Sequence, residues 1–125
     1  MPERESNRPQ RWLIVEDDSL IAMLVQDAVE KMGLTAIGPA ARVAQALQLL
    51  SQAAPEAALL DVNLGGETVY AVADELTLRN IPFVFLTGYD EGDLPAEFRH
   101  HPAIRKPFTP SQIQVAIDQF RGPGA

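Results

Sequence analysis

The sequence predicts one open α/β domain, with five parallel strands in the order 2-1-3-4-5 and helices on both faces of the sheet. Two observations carry that expectation. Apolar runs at residues 12–15, 35–37, 57–60, 83–86 and 103–104 alternate with segments of helical period, and five such alternations in about 110 residues describe a doubly wound sheet. Several runs are continuously apolar, which a strand covered on both faces requires. A chain of 125 residues can fill one core and is about half the length a closed eight-stranded barrel needs.

The elements follow in order. Residues 1–10 mix charges with two prolines and read as a disordered tail ahead of a domain over 11–121. After the first strand, Asp18 or Ser19 is placed to cap a helix whose apolar stripe is Ile21, Leu24, Val25, Ala28, Val29 and Met32. Gly33 then stands where a helix C-terminus favours glycine. The second strand runs into Gly38-Pro39, and Val43, Leu47, Leu50 and Ala54 form a second stripe stopped by Pro55. Val69, Val72, Ala73 and Leu76 form a third. Gly92 and Pro95 interrupt the stretch from 89 to 102 and leave room for a short helix only. The weak fifth strand precedes Thr109-Pro110-Ser111-Gln112, a capping box with proline at the first helical position. Ile113, Ala116, Ile117 and Phe120 are its buried stripe, and Arg121 to Ala125 cannot continue a helix, leaving 122–125 as a short tail.

Composition narrows the function classes. No cysteine is present, which excludes a disulfide framework or thiolate metal site and suits a cytoplasmic location. No apolar run approaches a membrane span, and residues 1–10 contain no hydrophobic segment of a signal peptide. A net charge of −7 repels phosphate backbones and speaks against direct nucleic-acid binding. Met1 and the Gly-Pro-Gly end read as those of a complete protein.

In a flavodoxin-like sheet of order 2-1-3-4-5, functional groups gather at the carboxyl ends of the strands. Those ends carry Glu16-Asp17-Asp18, Asp61 with Asn63 following, Thr87-Gly88, and Lys106-Pro107. Three carboxylates meeting between the first and third strands repel: two like charges about 4 Å apart cost ~4 kcal/mol at an effective dielectric of about 20. Lys106 supplies one positive charge, and a hard divalent ion held by oxygen ligands, Mg²⁺ or Mn²⁺, would supply the rest. A carboxylate beside such an ion, a hydroxyl and an ammonium is set up for phosphoryl transfer, with Asp61 as nucleophile and Thr87 and Lys106 neutralising the phosphoryl oxygens.

Four motifs then resemble one family. Leu13-Ile14-Val15-Glu16-Asp17-Asp18, Leu59-Leu60-Asp61-Val62-Asn63, Leu86-Thr87-Gly88 and Lys106-Pro107-Phe108, in this order, are similar to those of the receiver domain of two-component response regulators, over residues 11–120. The resemblance implies that Glu16 and Asp17 are the acidic metal pair and that Asp61 accepts phosphate from a histidine kinase or phosphotransfer protein. It further implies that Asn63 gives a backbone carbonyl to the metal, that Thr87 is the switch hydroxyl, that Lys106 contacts the phosphoryl group and that Lys106–Pro107 is cis. A downstream protein or phosphotransfer partner would read the signal.

Two positions depart from the family. Ala103 stands where receivers usually carry an aromatic that swings inward, and Asn63-Leu64-Gly65-Gly66 lacks the common Met-Pro pair. Phe85-Leu86-Thr87-Gly88-Tyr89 instead resembles a Phe-x-Thr-Gly-Tyr receiver subfamily, which lacks that aromatic and often pairs with HWE or HisKA2-type kinases. The segment 88–102 is then expected to move on phosphorylation. Tyr89 reads first as a packing residue, and His100-His101 as loop residues pointing apart rather than a metal pair. Two other functions compete: a degenerate receiver that binds partners without phosphorylation, and a small phosphohydrolase using Asp61. The second is weakened by Asn63, which stands where Asp-x-Asp phosphatases place a second acid. Flavin binding is opposed by Glu16-Asp17-Asp18, which would repel its phosphate.

Overall fold

The computed structural model describes residues 10–88 and 94–121. Strands β1 (Arg11–Val15), β2 (Thr35–Ala40), β3 (Ala57–Asp61), β4 (Phe83–Thr87) and β5 (Ala103–Arg105) alternate with helices α1 (Ser19–Lys31), α2 (Val43–Ala53), α3 (Tyr70–Leu78) and α4 (Pro110–Arg121). Among the described residues, one turn of 3₁₀ helix, Ala96–Phe98, lies between β4 and β5. The sheet order is β2-β1-β3-β4-β5, every pairing parallel, as the alternating pattern predicts.

Continuous apolar strands are explained by burial on two faces. Trp12, Ile14, Leu59, Val84 and Leu86 point to the layer holding α1 and α4, while Leu13, Val15, Leu60, Phe83 and Phe85 point to α2 and α3. Local signals placed the helix ends correctly. Asp18 caps α1 by accepting from Leu20 N (2.9 Å) and Ile21 N (3.1 Å). At α4, Thr109 N donates to Gln112 Oε1 (2.8 Å) and Gln112 N to Thr109 Oγ1 (3.3 Å), the reciprocal capping box. The Lys106–Pro107 bond is cis as expected, and Gly38–Pro39 is a second cis bond. Rather than ending at residue 37, β2 continues through that bond to Ala40, whose carbonyl accepts from Glu16 N at 2.9 Å. None of the described helices is long and apolar enough to cross a membrane.

From residue 94 onward, the β4–β5 connection is anchored more firmly than its composition suggests. Leu94 and Phe98 are buried, and His101 is a packing residue rather than a free loop side chain. Its ring stacks on Phe83 with centroids 4.0 Å apart, and its Nε2 lies 2.9 Å from the Phe83 carbonyl oxygen. Burial holds the imidazole below its usual pKa, against the opposing pull of the Phe83 carbonyl. The sign follows: stability from neutral His101 is present above the unfolded-state value near 6.5 and is lost as pH falls through the lower folded-state value. Urea midpoints measured from pH 7 down to pH 5 should therefore fall more steeply in wild type than in His101→Gln. Parallel pH dependence in the two proteins would exclude this role.

Candidate functional site

Neighbouring β1 and β3 end side by side, so the residues just past them share one rim of the sheet. Carboxylate oxygens of Glu16, Asp17 and Asp61 all lie within 4.8 Å of one another. Glu16 and Asp61 are 2% and 3% exposed, whereas Asp17 faces solvent. Lys106 reaches in from beyond β5, its Nζ 3.1 Å from Glu16 Oε1 and 3.1 Å from Asp61 Oδ1. Its backbone is fixed by donation from Lys106 N to the Thr87 carbonyl at 2.7 Å. Together these groups line an open cleft of about 400 Å³ with Asn63 and Gly88.

The electrostatics are those of crowded like charges with one counter-charge. Burial, then the hydrogen bond and charge of Glu16, push Asp61 up to about 8, while Lys106 pulls it down. Burial lowers the Lys106 pKa, but the charges of Asp61 and Glu16 outweigh it and leave the ammonium more basic than usual. One lysine thus compensates the cluster only in part.

A hard divalent cation fits what remains. Buried Glu16 Oε1 contacts Lys106 as an ion pair but has no hydrogen-bond partner, an oxygen left with acceptor capacity. The donor set is all oxygen, which suits Mg²⁺ rather than zinc. Gly65 sits at φ +65°, and a Cβ there would come within 3.1 Å of Asp17 Oδ2, so the loop after β3 closes directly on the acidic pair.

The structure brings Glu16, Asp17, Asp61, Asn63 and Lys106 together around this cleft. Thr87 ends β4 and is 3% exposed, and Gly88, its neighbour, forms the cleft wall. Ala103 lies exposed on β5. Tyr89 lies outside the described residues, as does part of the 88–102 segment. Asn63 Oδ1 accepts from Gly65 N at 3.2 Å, and Asn63 bridges Thr68 in an antiparallel pair. Residues 63–68 therefore form a miniature hairpin rather than an irregular loop.

Sequence reading missed Glu67 and Arg42. Glu67 Oε2 lies 3.2 Å from an Arg42 guanidinium nitrogen, and Glu67 Oε1 accepts from Val43 N at 3.3 Å. The Gly65-Gly66 pair was a legible hairpin signal. Its tie to a helix 24 residues away left no local trace.

Comparison with known proteins bears on the family and the fold. A family model described as the response regulator receiver domain matches residues 12–118. The phyllosphere-induced regulator PhyR of Methylorubrum extorquens is 38% identical over 112 residues, covering 86% of this chain and 42% of that protein. The chain thus spans under half the length of that relative. The solution structure of SdrG from Sphingomonas melonis Fr1 matches with a TM-score of 0.76 at 42% identity, covering 87% of this chain and 93% of that one. The receiver domain of Erythrobacter litoralis PhyR matches with a TM-score of 0.81 at 30% identity, covering 96% of each chain.

Proposed function

The chain belongs to the response regulator receiver family, and on that premise we propose that residues 11–121 accept a phosphoryl group on Asp61 from a histidine kinase or phosphotransfer protein and so switch the binding of a downstream partner or relay the phosphate. The observation that carries this reading is the ion triad: one ammonium 3.1 Å from each of two buried carboxylates, with Asp17 alongside.

An ionised Asp61 oxygen attacks phosphorus. The P–N bond of a phosphohistidine donor breaks, its electron pair returns to the imidazole, and a mixed anhydride forms on Asp61. Glu16, Asp17, Asp61 and the Asn63 backbone carbonyl are the residues that would hold Mg²⁺ or Mn²⁺. The bound cation would offset the carboxylate charge and that of the phosphoryl oxygens. Lys106, released from part of its pairing with Asp61, then faces a phosphoryl oxygen with its ammonium. Thr87, buried at the end of β4, is assigned the switch hydroxyl.

Ala103 removes the usual aromatic partner of Thr87, so the switch is assigned to the Gly88–Pro102 segment. Phe85-Leu86-Thr87-Gly88-Tyr89 points to an HWE or HisKA2-type kinase in the cytoplasm. Asn63, in place of a second catalytic acid, favours a signalling receiver over a phosphohydrolase.

Beryllofluoride, which mimics a phosphoryl group on a carboxylate, tests the site without a kinase. Amide resonances of residues 61–68 and 87–106 should shift when beryllofluoride and Mg²⁺ are added together, and not with either alone or in Asp61→Asn. Silence in wild type would favour the phosphorylation-independent binding module.

A further inference from the structure

We infer that Glu67 is a positioning residue for the metal-binding side of the cleft, acting as a strap between the phosphoacceptor loop and the start of α2. This rests on the reading of Asp61 as a Mg²⁺-dependent phosphoacceptor.

Both carboxylate oxygens of Glu67 are used. Oε1 accepts from Val43 N at 3.3 Å, and Oε2 meets the Arg42 guanidinium at 3.2 Å. Arg42, the residue at the N-cap of α2, makes no side-chain cap of its own, so the helix takes its cap from a loop 24 residues further along the chain. At its other end Glu67 closes the hairpin: its carbonyl accepts from Leu64 N at 2.8 Å, and Leu64 is 1% exposed. Asn63 and Thr68 pair across the base.

The topology gives the strap its consequence. β1 lies between β2 and β3 in the sheet. A tie from residue 67, after β3, to residues 42 and 43, after β2, therefore joins the two loops that flank the end of β1, where Glu16 and Asp17 stand. Ala40 at the end of β2 accepts from Glu16 N at 2.9 Å. The Gly65 backbone is close enough to Asp17 that a Cβ would sit 3.1 Å from Oδ2. The loop that carries Asn63 and approaches Asp17 through Gly65 is thus tied by Glu67 to the start of α2. A carboxylate that only capped α2 would need neither the arginine nor a place on this loop. The Glu67 and Arg42 side chains are 34% and 64% exposed, so neither fills the core.

The test compares wild type, Glu67→Ala and Glu67→Gln. Three quantities are measured: Mg²⁺ affinity by calorimetry, the Mg²⁺ dependence of phosphorylation by acetyl phosphate read by intact mass, and the thermal midpoint in chelator. Glu67→Ala should raise the half-saturating Mg²⁺ concentration about tenfold, the usual effect of losing a group that orients a metal ligand. At saturating Mg²⁺ its adduct should reach the wild-type level. Glu67→Gln keeps an oxygen acceptor for Val43 N but loses the ion pair with Arg42, and should recover only part of the affinity. A Glu67→Ala protein with a lowered midpoint but unchanged Mg²⁺ affinity would overturn the inference and leave a plain helix cap. If Glu67→Ala does not fold, Glu67→Gln combined with Arg42→Ala retains the cap and loses the ion pair. An unchanged affinity there would overturn the inference equally. Wild type binding Mg²⁺ but taking no phosphoryl group would sink the phosphoacceptor reading alone, because the calorimetric comparison still decides the role of Glu67.

Discussion

Asp61→Asn should make the metal-free protein more stable than wild type, with a thermal midpoint higher by at least about 5 °C above pH 8. The substitution keeps the shape of the side chain and removes one of two buried carboxylates that share Lys106. The new amide can also donate to Glu16 Oε1, the buried oxygen without a hydrogen-bond partner. The pH dependence follows from the direction of the shift. Asp61 titrates near 3.8 when unfolded and at about 8 when folded. Its favourable contribution is complete below the lower value and is lost as pH rises through the upper one. The advantage of Asp61→Asn should therefore grow from about pH 4 to about pH 8 and then level off. Mg²⁺ should reverse the ranking, because binding stabilises the folded wild type by mass action and finds a weakened site in the variant. Thermal melts in chelator and in Mg²⁺ at pH 5, 7 and 8.5 would check this. Equal midpoints at every pH in chelator would contradict it.

Lys106→Met should act in the opposite direction. Among the described residues Lys106 is the cation that pairs with both Glu16 and Asp61, and its side chain is 23% exposed. Removing one partner of a buried ion pair commonly costs about 3–5 kcal/mol, because the remaining charge is left uncompensated. The lower end applies here, since the lysine keeps some contact with water. Below about pH 8 Asp61 can take up a proton, so the loss should be smaller at pH 6 than at pH 8.5. Millimolar Mg²⁺ should restore part of it by supplying the missing positive charge. Urea unfolding at the two pH values, with and without Mg²⁺, separates these effects. Asp61→Asn and Lys106→Met share a site, so their combined effect should fall well short of the sum.

Much of this fold was legible because it is written locally. Burial of both sheet faces forces continuous apolar strands, helix stripes repeat at fixed spacing, and Asp18 and Thr109 to Gln112 cap helices within four residues of themselves. The convergence of Glu16, Asp17, Asp61 and Lys106 was equally legible, because strand order places strand ends side by side without knowledge of any contact. What was not legible depends on partners far along the chain. His101 reads as a loop residue until Phe83, 18 positions earlier, supplies its carbonyl and its ring. Gly38-Pro39 reads as the end of a strand, yet Ala40 beyond it still pairs with β1. Glu67 reads as an ordinary acid in a turn until Arg42 and Val43 are brought to it. Spacing rules reach one element at a time, and these three cases each join two.

The most direct test of Asp61 as a phosphoacceptor is intact mass after incubation with acetyl phosphate, for wild type and Asp61→Asn, each with Mg²⁺ and with chelator. The account predicts a single added phosphoryl group in wild type with Mg²⁺ and none in the other three samples. An adduct of equal size in Asp61→Asn would contradict it by moving the chemistry to another side chain.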